Sequence, residues 1–408
     1  MKINYELLKE KYNTPLYVYD TTVINNKIDM LKNNFKSDLY STEIIYASKA
    51  FSIKEMLRLI GNKGLSLDVV SLGELYTAKS VDFDMKKVYF HGNNKSYEEL
   101  QYAVNNSVGT IIVDNLMELI LLDEICKNLN KTQNIMIRLN LGIEAHTHKY
   151  IVTSHIDSKF GILYQSSDYN EMLKIINSSN NLKLVGLHSH IGSQIFGLDA
   201  YKAEIKKLAL ITKDFNYPLA LNLGGGFGAY YTSEDKPISL DVVAKSLVDL
   251  TNEVLKEENI SITKLLIEPG RSIVCEAGST LYTIGFIKKT PNKEYYFIDG
   301  GMTDNIRPAL YQAKYDAFIV GKENEPKTEI VTIAGKCCES GDIIIEDYQL
   351  PKANTNDLLV VTSTGAYGYS MSSNYNKALT PAVVFVDNDK DYLVSERQTY
   401  SDLIKREL

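Results

Sequence analysis

Lys49 ends the apolar run IIYASKAF (44–51), and its amine is a group that can bond covalently to an aldehyde. A charge is costly at the end of a buried strand, so the bland reading is a first solvated loop residue. Other polar residues stand in the same setting. Asp68 closes LSLDVV, His91-Gly92-Asn93 follows KVYF, Arg138 and Asn140 close IMIRLN, and His188 and His190 close LVGLHSH. Glu268 ends LLIE and opens Glu268-Pro269-Gly270-Arg271. After LALNL comes GGGFG (224–228), a turn whose bare backbone N–H groups suit a phosphate. It lacks the G-x-x-x-x-G-K-[ST] arrangement, so a nucleoside triphosphate is not implied.

The histidines invite a rival reading. AHTH (145–148) and HSH (188–190) both show H-x-H, which on a strand puts two imidazoles on one face. Metal-dependent hydrolases built on barrels use such pairs, with H-x-H on the first strand. Here the first strand carries a lysine and a proline follows Glu268 at once, so no metal is expected.

The elements that must position these residues form a regular series. Eight apolar, β-rich runs, at 43–48, 65–70, 87–91, 110–113, 135–140, 184–190, 219–223 and 265–268, alternate with helical patterns such as 52–61, 96–106 and 241–257. Near-continuous apolar strands each followed by a helix predict a (β/α)8 barrel, whose chemistry sits at the C-terminal strand ends. The polar residues named above all fall at that rim. The long connection at 141–166 is expected to be functional. From residue 272 the pattern becomes short strands between turns, at 294–300, 328–335, 342–347, 357–363, 382–386 and 392–396, predicting an all-β domain. The expected division is 1–24 as a strand segment joining the β domain, 25–271 as the barrel and 272–408 as the β domain.

A net charge of −7 argues against nucleic acid or an anionic membrane as partner. No secretory signal or membrane-spanning run is visible, and Cys126, Cys275, Cys337 and Cys338 show no C-x-x-C spacing. A cytoplasmic protein with reduced thiols is expected.

A lysine, a glycine turn, a carboxylate and an imidazole around one barrel mouth are the set that pyridoxal 5'-phosphate needs. The motifs YASKA, LDVVSLGEL, FHGNNKS, AHTHKYIVTSHIDSKFGI, GLHSHIGSQ, LNLGGGFG, EPGRSIV, DGGMTDNIRPALY, CESGD and GAYGYSMSSNYN sharpen this. Together they resemble the pyridoxal-phosphate-dependent diaminopimelate decarboxylases, relatives of ornithine decarboxylase with an alanine-racemase-like fold, from residue 14 to 386.

The resemblance implies decarboxylation of meso-2,6-diaminopimelate to L-lysine. It implies that Lys49 carries the cofactor, His190 stacks on its ring and Glu268 faces its pyridine nitrogen. Asp68, Ser193, Gly224, Gly225, Gly226, Gly270, Arg271 and Tyr367 complete the cofactor contacts. Arg271, Arg307, Tyr311 and Tyr367 would bind the substrate's remote carboxylate end, Glu339 its remote ammonium, and Cys338 would be the proton donor. It also implies a homodimer with shared active sites. Two features depart from the family pattern: the doublet in GKCCESGD (335–342), where a proline commonly precedes the cysteine, and AFSI after the lysine.

Overall fold

Eight parallel strands close on themselves in the computed structural model, which describes residues 3–143 and 157–408. They are Ser41–Ala47, Ser66–Val69, Val88–Phe90, Thr110–Val113, Gln133–Asn140, Leu182–His188, Ala220–Asn222 and Lys264–Ile267. Each pairs with the next and the last pairs with the first, so no edge is left open. The second, third and fourth are buried at every residue, because helices cover the outer face while side chains fill the inside. Ile45, Tyr89, Ile112, Met136, Ala220 and Leu266 make one inward cluster. Truncating Ile45 or Leu266 to alanine should cost about 2–5 kcal/mol.

Register is what gathers the polar residues. Arg138 lies opposite His188, His188 opposite Asn222, and Asn222 opposite Leu266, two residues before Glu268. On the other side Ala47 lies opposite Asp68, and Asp68 opposite Tyr89. Helices restart soon after the strands through side-chain caps. Ser71 accepts from the Glu74 N–H, Asn115 accepts from the Glu118 N–H, and Ser96 and Glu99 form a capping box. Each cap is worth about 1 kcal/mol and keeps the site-bearing turns short.

The chain divides into two units. The barrel unit is Ile28–Gly228 with Pro237–Gly270; the other comprises the N-terminal residues up to Lys27, Ala229–Lys236 and Arg271–Leu408. The second unit holds a nine-stranded sheet. In it Leu16–Asp20 runs antiparallel to Gly278–Lys289 and parallel to Ala382–Asp387. Tyr5, Leu8, Leu16, Val18, Leu281, Val360 and Val384 pack one face. The twelve-residue strand Gly278–Lys289 is absent from the sequence reading, although it pairs with three others. Gly278, Gly285 and a bulge between Ile284 and Phe286 break the alternation that would reveal it.

Among the described residues no helix is long and apolar enough to cross a membrane. The AHTH segment lies outside the described residues.

Candidate active site

The first barrel strand runs directly into a single 3-10 turn, Ser48–Ala50. Lys49 projects from it as an exposed residue between buried Ser48 and Ala50. The burial penalty raised by the sequence therefore does not apply to its ammonium, and what singles it out is its company. Lys49 acts electrostatically on Asp68 and on His190. Gly270 closes the ring behind it: a Cβ there would stand 2.9 Å from the Ala47 Cβ.

Glu268 is the centre of the barrel mouth. Its Oε1 lies 2.8 Å from the Nε2 of His91 and accepts from the Nδ2 of Asn222 at 2.7 Å. Its Oε2 lies 3.3 Å from the Nε2 of His188. Burial alone would raise this carboxyl's pKa, but the two imidazoles outweigh it and hold Glu268 well below the usual range. Burial pushes His188 down to about 4, against the pull of Glu268, so its ring is neutral at neutral pH. Asp68 goes the other way. Burial lifts it above the usual carboxylate range, against the attraction of His91 at 3.8 Å.

His91, His188 and Glu268 present donor atoms within 4.8 Å of one another, a set of types that could ligate a cation. The His188 Nε2 is hydrogen-bonded to the carboxylate at 3.3 Å, whereas the His91 Nε2, 2.8 Å from it, is an ion-pair contact without hydrogen-bond alignment. The H-x-H pair does not act together: His188 turns to Glu268, whereas the Nδ1 of His190 accepts from the Gly225 N–H at 3.2 Å. Burial, then the Lys49 charge, holds His190 well below its ordinary pKa. The ring is thus neutral, with its proton on Nε2.

The glycine turn is shaped for close approach. A Cβ on Gly225 would sit 2.1 Å from the Glu268 carbonyl oxygen, and one on Gly226 would sit 2.2 Å from that of Gly192. Gly224 and Gly226 have positive φ, so the turn is a concave backbone nest. The next helix begins at Leu240, twelve residues beyond the turn, so no helix N-terminus backs the nest. Ile195 donates to the Gly226 carbonyl at 3.0 Å and accepts from Gly228 at 3.3 Å, docking the Ser193 loop onto this turn. The Gly226 N–H has no backbone acceptor among the described residues.

Arg271, Arg307, Tyr311 and Tyr367 come together in the sheet unit. The two arginines are 8% and 7% exposed, low enough that their charges must be met from within. Arg271 lies 5.5 Å from the centre of the Tyr231 ring and 4.8 Å from that of Tyr367. Arg307 lies 5.5, 5.4 and 5.4 Å from the rings of Tyr231, Tyr311 and Tyr367. Its Nε donates to the Tyr315 hydroxyl at 3.0 Å. Burial opposes both charges, but the phenol oxygens, Tyr231 foremost, outweigh it and keep both guanidiniums protonated.

Cys338 and Glu339 are exposed and stand on a separate turn of this unit, between strands Glu329–Ala334 and Ile343–Leu350. The Cys338 N–H donates to Asn376 at 2.8 Å. The neighbouring Cys337 N–H donates to Asp342 at 2.8 Å, and burial with the Asp342 charge pushes the Cys337 thiol up to about 11. The doublet is therefore asymmetric: one thiol is tucked against a carboxylate and the other is open.

The sequence places His91 at the rim without giving it a role, and it does not point to Asn222, Tyr231, Tyr315 or Asp342. Asn222 carries a signal in LNLGGG, since its Oδ1 accepts from the Gly224 N–H and its Nδ2 serves Glu268. Asp342 accepts from Met302 at 2.6 Å and would collide with a Cβ on Gly301 or Gly335, which accounts for glycine at both. Tyr231 gives no signal, because nothing in GAYYTSED marks a chemical role.

Residues 23–275 match the family model described as pyridoxal-dependent decarboxylase, pyridoxal binding domain. The chain is 47% identical to the diaminopimelate decarboxylase of Bacillus methanolicus over 397 residues, covering 96% of this chain and 92% of that protein. It is 46% identical to the Bacillus subtilis (strain 168) enzyme over 407 residues, covering 98% and 93%. Among solved structures, diaminopimelate decarboxylase from M. jannaschii in complex with L-lysine superposes with a TM-score of 0.92 at 33% identity, covering 98% of this chain and 94% of that one. The Helicobacter pylori enzyme complexed with L-lysine gives 0.89 at 30% identity, covering 98% of each. A pyridoxal-binding barrel, relatives matched along almost their whole length and the same two-part fold lead to one assignment: the chain belongs to the pyridoxal-dependent decarboxylases, with the diaminopimelate decarboxylases.

Proposed function

We propose that this chain decarboxylates meso-2,6-diaminopimelate to L-lysine and carbon dioxide, with pyridoxal 5'-phosphate carried on Lys49. The observation that carries the reading is the buried Glu268, kept anionic by His91, His188 and Asn222. A lone buried carboxylate is expensive, and three polar neighbours spent on one suit a cationic N–H facing it.

The residues present fit the cofactor. The cradle at Gly225 and Gly226 is one a Cβ would fill, and its curvature and the Gly226 N–H suit a phosphate. Gly224, Ser193, Gly270, Arg271 and Tyr367 are assigned to the same group, and Asp68 to the neighbourhood of Lys49. The neutral His190 offers a flat face without a competing charge. When bound, the cofactor supplies an aldehyde for the amine and a ring that accepts the electrons released with carbon dioxide. Glu268 holds a proton on the ring nitrogen and so makes that acceptance favourable.

Arg271 and Arg307 take the remote carboxylate, with Tyr311 and Tyr367 against them, since guanidinium forks bind carboxylates bidentately. Glu339 takes the remote ammonium. The Cys338 Sγ–H delivers a proton to the former α-carbon, while Cys337, turned to Asp342, takes no part. This reading also makes the protein a cytoplasmic homodimer with shared sites. An acid needed in a water-excluded reaction otherwise stands on an exposed turn, and a second subunit would cover it.

The test is direct. With pyridoxal phosphate and meso-diaminopimelate the purified protein should release carbon dioxide and L-lysine, and borohydride should fix the cofactor to the peptide holding Lys49. No carbon dioxide, or label on another lysine, would refute the reading.

A further inference from the structure

Two guanidiniums lie against the same phenol ring in the sheet unit, and that ring belongs to a residue assigned no role above. We infer that Tyr231 is the positioning residue that sets substrate selectivity for a remote carboxylate; the inference rests on the proposed use of Arg271 and Arg307 for that group. The Tyr231 ring centre is 5.5 Å from each guanidinium carbon, and its hydroxyl is hydrogen-bonded to the Arg271 Nη1. Like charges brought this close repel one another, and the negative face of an aromatic ring offsets part of that repulsion. Tyr367 supplies a second shared ring, and Tyr315 anchors Arg307 through its Nε.

Tyr231 is itself held. Its N–H and that of Thr232 both donate to the Asp235 carboxylate, at 3.0 and 2.9 Å, which pins the backbone. Its ring meets the Tyr315 ring edge-to-face, with centroids 5.4 Å apart at 80°. Asp235 thus fixes Tyr231, and Tyr231 fixes Arg271 with respect to Arg307. A substrate ending in a carboxylate finds two preset forks, whereas one ending in hydrogen brings no anion to them.

Tyr231→Phe keeps the ring and its packing while deleting the hydroxyl anchor. The expected result is a rise of about tenfold in KM for meso-diaminopimelate, with kcat and the cofactor absorbance little changed. A wild-type KM in this variant, or a loss confined to kcat, overturns the inference while leaving the proposed function standing. Failure of the wild-type protein to decarboxylate diaminopimelate is the separate result that removes both. If Tyr231→Phe does not fold, Asp235→Ala decides, because it frees the backbone and leaves the phenol in place. A KM increase of about threefold at constant kcat supports the role, and an unchanged KM overturns it.

Discussion

The barrel mouth and the sheet unit solve opposite electrostatic problems. At the barrel mouth one buried anion, Glu268, is surrounded by two imidazoles and an amide from three other strands. In the sheet unit two buried cations, Arg271 and Arg307, are surrounded by phenol rings on loops and short helices. The first arrangement is set by strand register, so its parts cannot move independently. The second is set by side-chain stacking and a few hydroxyl bonds, and is adjustable one residue at a time. The difference suggests a division of labour, with the shared chemistry fixed in the barrel and the choice of substrate tuned in the sheet unit.

The comparison predicts that changes at the barrel mouth abolish turnover, whereas changes in the arginine cage alter affinity. Lys49→Ala should remove all turnover and the borohydride-fixed product; residual activity near the wild-type level would break the barrel half of the account. Glu268→Gln keeps shape and burial but removes the charge, and should lower kcat by about a hundredfold or more. A shift confined to KM would show that the carboxylate only binds.

Cys338→Ala should lose most turnover yet still bind cofactor and substrate, because only proton delivery is removed. Cys337→Ala should be mild, and the reverse ranking would move the acid to Cys337. Mixing Lys49→Ala with Cys338→Ala subunits tests the shared site. Random exchange should restore roughly a quarter of wild-type activity. Confirmed exchange with no recovery would mean that each site is built within one chain.

The smallest effect concerns stability. Glu204, fully buried on the helix Asp199–Ile211, has neither carboxylate oxygen hydrogen-bonded among the described residues. Burial raises its pKa well above 4.5, with Glu268 adding to the shift and Ser189 opposing it. The unfolded chain therefore gives up this proton at a lower pH than the folded one, and folding stability falls as pH rises above 4.5. The fall is about 1.4 kcal/mol per pH unit until the folded group ionises. Glu204→Gln lacks this penalty. Its urea midpoint should gain on wild type between pH 5 and pH 8, and a constant gap would contradict the assignment.

Legibility from sequence followed the same divide. Barrel strands covered on both faces read as unbroken apolar runs, so Lys49, His188 and Glu268 showed themselves as polar residues at strand ends. Their partnerships did not show: that His91 and Asn222 serve Glu268 depends on which strands adjoin, which only closure of the barrel decides. In the sheet unit, Gly278–Lys289 was hidden by its glycines and bulge. Tyr231 was hidden because Ala229–Lys236 leaves the barrel sequence to pack with a unit whose other residues lie elsewhere in the chain. Arg307 and Cys338 were legible only through the family motifs around them.

The central claim is that the barrel performs the chemistry on one end of diaminopimelate while the sheet unit's arginines hold the other. Carbon-13 placed in a single carboxyl group of meso-diaminopimelate tests this most directly. Label at the D-centre should leave entirely as carbon dioxide, and label at the L-centre should be retained entirely in L-lysine. Release of the L-centre label, or turnover of ornithine with none of diaminopimelate, would contradict the account.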